Sequence, residues 1–176
     1  MKSSVRGEPL APEHAAAVFR HLGDPALYTY IPPRLPESVE ALEREFTRLA
    51  AGCTDGTQVW LNWLALQGDS PVGMLQATLL ADDSAILAYV IFREYWGRGL
   101  GRQGARWVLS ELFERRGVRR VLAHIDERNV ASIRIALAIG MSPASAAEAE
   151  SADPVTASSG SPWATGSRSI RRDDSL

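Results

Sequence analysis

The stretch Ala85-Ile86-Leu87-Ala88-Tyr89-Val90-Ile91-Phe92, followed by Arg93-Glu94-Tyr95 and then by Trp96-Gly97-Arg98-Gly99-Leu100-Gly101-Arg102, decides the reading of this chain. An apolar run of that length between polar breaks predicts a buried strand, and the alternating glycines after it allow close backbone approaches that a side chain would block. Further on, Ala105, Val108, Leu109, Leu112 and Phe113 recur at helical spacing until Gly117, which predicts an amphipathic helix. A strand, a glycine turn and a helix start in that order bring unpaired N–H groups and the positive end of a helix dipole to one point, suited to phosphate oxygens. The backbone from Gly97 to Gly101 forms the candidate anion cradle, and Arg98 and Arg102 add positive charge.

Working outward, two more apolar runs, 59–66 and 73–80, precede the strand, with Gly68-Asp69-Ser70-Pro71 and Asp82-Asp83 between them. Such short polar breaks predict hairpins, hence an antiparallel meander of three strands. Before it, residues 11–22 carry Ala15, Val18, Phe19 and Leu22 on one stripe, and Ser38 caps a second helix whose Val39, Leu42, Phe46 and Leu49 share a face until Ala51-Gly52. After the third helix, residues 119–125 alternate Val121, Ala123 and Ile125 against Arg120, Leu122 and His124. A helix joining two strands is a crossover, which favours parallel pairing. Asn129 caps a fourth helix that carries Ile133, Ala136 and Leu137 inward and ends at Gly140. A dinucleotide fold would place its glycine turn after the first strand of a βαβ series, and a Walker turn would continue with Gly-Lys-Ser or Gly-Lys-Thr. Neither pattern is present.

Composition narrows the class. With 176 residues, 45% hydrophobic and 23% charged, the chain suits one globular domain, and no apolar run approaches a bilayer span. A formal charge of −2 argues against nucleic acid as a partner. The N-terminal residues show no apolar secretion signal, so a cytoplasmic protein without membrane association is expected. Cys53 is the single cysteine and has no His or Cys neighbour at metal-ligand spacing, so no metal site is expected and an acyl-enzyme is disfavoured.

Trp96-Gly97-Arg98-Gly99-Leu100-Gly101 resembles the pyrophosphate-binding signature of the GNAT superfamily of N-acetyltransferases. Asn129-Val130-Ala131-Ser132, followed by Leu137 and Gly140-Met141, is similar to the fourth-helix motif of the same family. Trp96, where many members carry Arg or Gln, resembles the subgroup that acetylates ribosomal-protein N-termini and its relatives acting on small amines. The resemblance covers residues 5 to 141. It implies an α/β (α+β) fold with a mixed, mainly antiparallel sheet, splayed between the strand ending near Phe92 and the strand starting near Arg119. It also implies acetyl-CoA as cosubstrate, with pantetheine in the gap against backbone groups of Tyr89, Val90 and Ile91 and with Asn129 near the pantetheine arm. The implied reaction is direct transfer to a primary amine, either a protein N-terminus or a small molecule.

Acyl transfer from a thioester needs a proton removed from the amine and benefits from one supplied to the departing thiolate. Members with an identified base often place a carboxylate on the strand after the third helix, and His124 stands at the matching position. Some relatives supply a tyrosine acid on the fourth helix, where this chain has Ala136; Tyr89, on the strand beside the thioester site, is the candidate in its place. Each of these also has a plain structural explanation: a half-exposed strand histidine, a packed tyrosine, and for Asn129 a helix cap. His14 and His21 on the first helix are expected to face solvent, and Trp60 and Trp63, opposed in parity, are expected to be core residues first.

Beyond Met141 the character changes. Of the 35 residues at 142–176, nine are Ser and seven Ala, with only Val155, Trp163, Ile170 and Leu176 bulky and apolar. That composition predicts a disordered tail after a domain at 1–141, with the family's last two strands missing and the strand at 119–125 left as an exposed edge. Those losses, with Ala136, leave open an alternative: an acyl-CoA-binding module with weak or no catalysis.

Overall fold

A computed structural model describes residues 4–53, 56–145 and 167–173. Seven strands form one sheet in the order β1-β2-β3-β4-β5-β7-β6, where β1 is Val5–Pro9, β2 Val59–Gln67, β3 Ser70–Leu79, β4 Ser84–Ile91, β5 Arg120–Asp126, β6 Ser142–Pro143 and β7 Ser167–Asp173. All neighbours are antiparallel except β4 and β5. The crossover between those two is helix α3, Leu100–Ser110, which continues into a π-helical turn, Glu111–Arg115.

Strand alternation sorts the core into two layers. On one face Leu75, Ala77, Leu87, Val121 and Ala123 pack under α3 and helix α4, Val130–Ala138. On the other, Leu64, Leu66 and Phe92 meet α1, Ala15–Leu22, and α2, Val39–Ala51. Helix starts follow local chemistry. Ser38 Oγ accepts from Ala41 N–H at 3.1 Å, Asn129 Oδ1 accepts from Ser132 N–H at 3.1 Å, and α2 stops at Gly52 with φ of 80°. The first helix is shorter than its apolar stripe suggests, because Pro12–His14 forms a 3-10 turn ahead of it.

Several sequence expectations are corrected. The last two strands are not missing: β7 pairs with β5 along its length, from Arg120↔Asp173 to Asp126↔Ser167, and β6 pairs with β7. Strand β5 is therefore an inner strand and not an open edge. Apolar alternation failed as a signal because a polar side chain does the covering. Arg172 Nη1 donates to Ile139 O at 2.8 Å, serving a carbonyl at the end of α4, and its guanidinium lies 5.8 Å from the Phe113 ring centre. The rest of the expected disordered tail, 146–166 and 174–176, lies outside the described residues.

Strand β1 carries too few apolar residues to announce itself, yet it pairs with β2 from Val5↔Gln67 to Pro9↔Trp63. Leu137, expected inward, is 53% exposed, while Ala136 and Ile139 are buried. His14 and His21 are not solvent-facing. His14 bridges Ala11 N–H and Glu8, and His21 stacks on Phe92 at 4.6 Å and pairs with Glu94. Trp63 is a core residue as expected, edge-on to Trp107 at 5.3 Å, whereas Trp60 is half-buried under Arg48.

Candidate active site

Strands β4 and β5 pair only at Ser84↔Arg120, Ala85↔Val121 and Ile86↔Leu122, and then part. The remainder of β4 stays in register with β3 as far as Gly73↔Ile91, so the gap opens on the β5 side alone. Phe92 N–H donates to Val72 O at 2.9 Å, and Leu80 N–H to Ser84 O. Backbone groups alternate along a strand, so even-numbered residues of β4 turn theirs to β3 and Leu87, Tyr89 and Ile91 turn theirs to the gap. Of the three strand positions singled out in the sequence, Tyr89 and Ile91 thus face the gap with their main chain, while that of Val90 faces β3. The Ile91 carbonyl is already engaged by Trp96 Nε1–H at 2.6 Å, a bond that ties the glycine turn to the end of β4.

The glycines of the turn serve two purposes. Gly97 and Gly99 have φ of 73° and 74°, where a side chain is strained, and a Cβ at either would enter open space. Gly101 is needed for proximity instead: a Cβ there would stand 3.0 Å from Ile135 Cδ1 and 3.5 Å from Tyr89 Cε2. Gly99 is the N-cap of α3 and offers no side chain, and the first turn holds no acidic residue. The first bond of the helix is Gln103 N–H to Gly99 O at 3.2 Å, so the amides of Leu100, Gly101 and Arg102 precede any intrahelical acceptor. Leu100 is buried and anchors the turn, Arg102 is exposed, and the Arg98 guanidinium lies 5.3 Å from the Tyr95 ring centre.

The gap continues as a cleft of about 720 Å³, open volume at its mouth included. It passes through the sheet. On the α3/α4 face it is lined by Tyr89, Ile125, Asn129, Ser132 and Ala136, and on the α1/α2 face by Tyr30, Ile31, Ala88, His124 and Asp126. The two proton-transfer candidates therefore share one cleft from opposite faces, His124 on the α1/α2 side and Tyr89 on the α3/α4 side. Tyr30, Ile31 and Asp126 carried no signal in the sequence, since they sit in a loop and at a strand end without pattern.

The electrostatics separate these groups. The Tyr89 hydroxyl is buried without a hydrogen bond, and that burial raises its pKa above the ordinary phenol value. The Ser132 side chain draws the value back a little, but the two oxygens do not meet hydrogen-bond geometry. A buried unsatisfied donor between the start of α3 and α4 is a place for a ligand acceptor. Asp126 is different: Arg128 holds it through Nε at 3.0 Å, Nη2 at 2.7 Å and its own N–H at 2.9 Å, and these contacts push its carboxyl down to about 2. It is permanently ionised near neutral pH and poorly suited to taking a proton. Asn129 caps α4 through Oδ1 only. Among the described residues no cluster of His, Cys, Asp and Glu could hold a metal ion, and no helix is long and apolar enough to cross a membrane.

Residues 7–142 match the family model of the acetyltransferase (GNAT) domain. No curated protein sequence matches the chain significantly. Among solved structures, an acetyltransferase from Thermus thermophilus superposes with a TM-score of 0.66 at 23% identity, covering 98% of this chain and 99% of its own. The aminoglycoside acetyltransferase AAC(6')-Ib in complex with coenzyme A gives 0.72 at 13%, covering 97% and 95%. Spermidine N-acetyltransferase from Vibrio cholerae in complex with CoA and spermine gives 0.70 at 12%, also covering 97% and 95%. At these identities the likeness is one of fold.

Proposed function

The chain belongs to the GNAT acetyltransferase family, and from that premise we propose that it is an acetyl-CoA-dependent N-acetyltransferase acting on a primary amine by direct attack in a ternary complex. The observation that carries this is an uncapped, glycine-built helix start set beside a cleft that crosses the sheet, with Gly101 packed against Tyr89 and Ile135, which both line that cleft. The residues present fit the cosubstrate. Amides of the turn suit a diphosphate, and the gap-facing main chain of Tyr89 suits the amides of pantetheine. Structural neighbours of the same fold hold CoA, with amine acceptors named for them.

When bound, acetyl-CoA supplies an acyl thioester whose carbon accepts the amine nitrogen as its C–S bond breaks. The chain's residues do the rest. Amides of residues 98–102 hold the diphosphate, with Arg98 and Arg102 beside it. A gap-facing N–H of β4 meets the negative charge that develops on the thioester oxygen. His124 would take one proton from the incoming ammonium on its face of the sheet; Tyr89, kept protonated by burial, would give one to the departing sulfur on the other and regain it from the second proton that the nitrogen loses as the amide forms. Asn129 borders the pantetheine arm while capping α4.

Trp96 fits the subgroup that acetylates ribosomal-protein N-termini and its relatives acting on small amines. Ala136, in place of a fourth-helix acid, favours a second reading, an acyl-CoA-binding module with little catalysis. One experiment separates the two: acetyl-CoA binding by calorimetry, followed by thiol release over a panel of amines and peptide N-termini. Amine-dependent release supports the transferase, and binding without release supports the module.

A further inference from the structure

We infer that the acceptor is a small monoamine: one ammonium on an uncharged, largely apolar body. This rests on the transferase reading above and names its substrate class. The charge inventory of the α1/α2 mouth points there. Among the described residues lining the cleft, Asp126 is the one carboxylate, and it is committed bidentately to Arg128. A second ammonium on the acceptor would leave water and find no negative partner, with the Arg128 guanidinium nearby as a like charge. Apolar contact is available instead, because Tyr30, Ile31 and Ala88 line the same mouth beside His124. The pantetheine arm must share the same cleft, which leaves little room for a large acceptor.

The test compares acceptors matched in length and different in charge. Thiol release from acetyl-CoA is measured with the full chain on hexylamine, 1,6-diaminohexane, phenethylamine, spermidine and a tripeptide with a free N-terminus. The expected result is a kcat/KM for hexylamine and phenethylamine about tenfold or more above that for the diamine, spermidine and the tripeptide. A preference for the diamine, spermidine or the peptide would overturn the inference and leave the transferase reading standing. Acetyl-CoA binding with no release on any amine would overturn both. Arg128→Ala gives a second arm, since it frees the Asp126 carboxylate in the cleft: the hexylamine to diaminohexane ratio should fall several-fold. An unchanged ratio, with folding intact by circular dichroism, would show that the Asp126–Arg128 pair does not set charge selectivity and would also count as refutation.

Discussion

The two mouths of the cleft are built from different materials. The α3/α4 mouth, lined by Tyr89, Ile125, Asn129, Ser132 and Ala136, adjoins a stretch of main chain built for recognition: amides at the start of α3, glycines with positive φ, and β4 groups turned to the gap where β4 and β5 part. The α1/α2 mouth is made of side chains drawn from distant segments, with Tyr30 from a loop, Ala88 from β4, and His124 and Asp126 from β5. Main-chain recognition demands particular backbone conformations and so leaves glycines at fixed spacing. Side-chain recognition can use almost any residue on a suitable surface, which frees the second mouth to vary while the first keeps its form.

Substitutions at the two mouths should therefore fail in different ways. The largest effect is expected from Gly99→Glu, which places a carboxylate at the anion cradle and a side chain at φ of 74°. Acetyl-CoA affinity by calorimetry should fall by about a hundredfold or more, roughly 2.7 kcal/mol. Gly99→Ala, which keeps the strain and omits the charge, should lose distinctly less, and equal losses would mean that strain alone is at work.

At the other mouth His124→Ala should lower kcat by about a hundredfold and leave acetyl-CoA affinity unchanged. Its pH profile sharpens the point. Asp126 has a folded pKa of about 2 against an ordinary 3.8, a depressed carboxylate, so the pairing with Arg128 is complete above about pH 4 and is lost only as pH falls towards 2. Any rate change between pH 6 and 9 must then come from another group, and an identical profile in His124→Ala would remove the histidine as base.

Tyr89→Phe separates chemistry from stability. Deleting a buried, unsatisfied hydroxyl should leave the melting temperature unchanged or slightly higher while kcat drops about tenfold. A falling melting temperature with normal turnover would make Tyr89 a packing residue. The smallest effect is expected for Asn129→Ala, which removes the α4 cap and should cost about 1 kcal/mol in urea unfolding.

Where the sequence could be read, a physical constraint had left a mark. The β2–β4 meander, the amphipathic face of α3 and the Ser38 and Asn129 caps follow from periodicity and local hydrogen bonding. Strand β1 was invisible because an edge strand can pair through its backbone with a single buried apolar side chain, Val5. Strand β7 was invisible because Arg172 covers Phe113 and the end of α4, a task that apolar alternation cannot report. The glycine turn was legible, but its two kinds of glycine were not: Gly97 and Gly99 answer to φ, and Gly101 to the neighbouring Ile135 and Tyr89. Tyr30, Ile31 and the Asp126–Arg128 pair came together only through the fold.

The most direct measurement is a structure of the chain with coenzyme A bound. The diphosphate should lie within hydrogen-bond distance, about 2.9 Å, of amides between residues 98 and 102, with the pantetheine arm between β4 and β5 beside Tyr89. A diphosphate bound elsewhere, with the turn before α3 making no contact to it, would contradict the assignment of the cradle and of the transfer chemistry built on it.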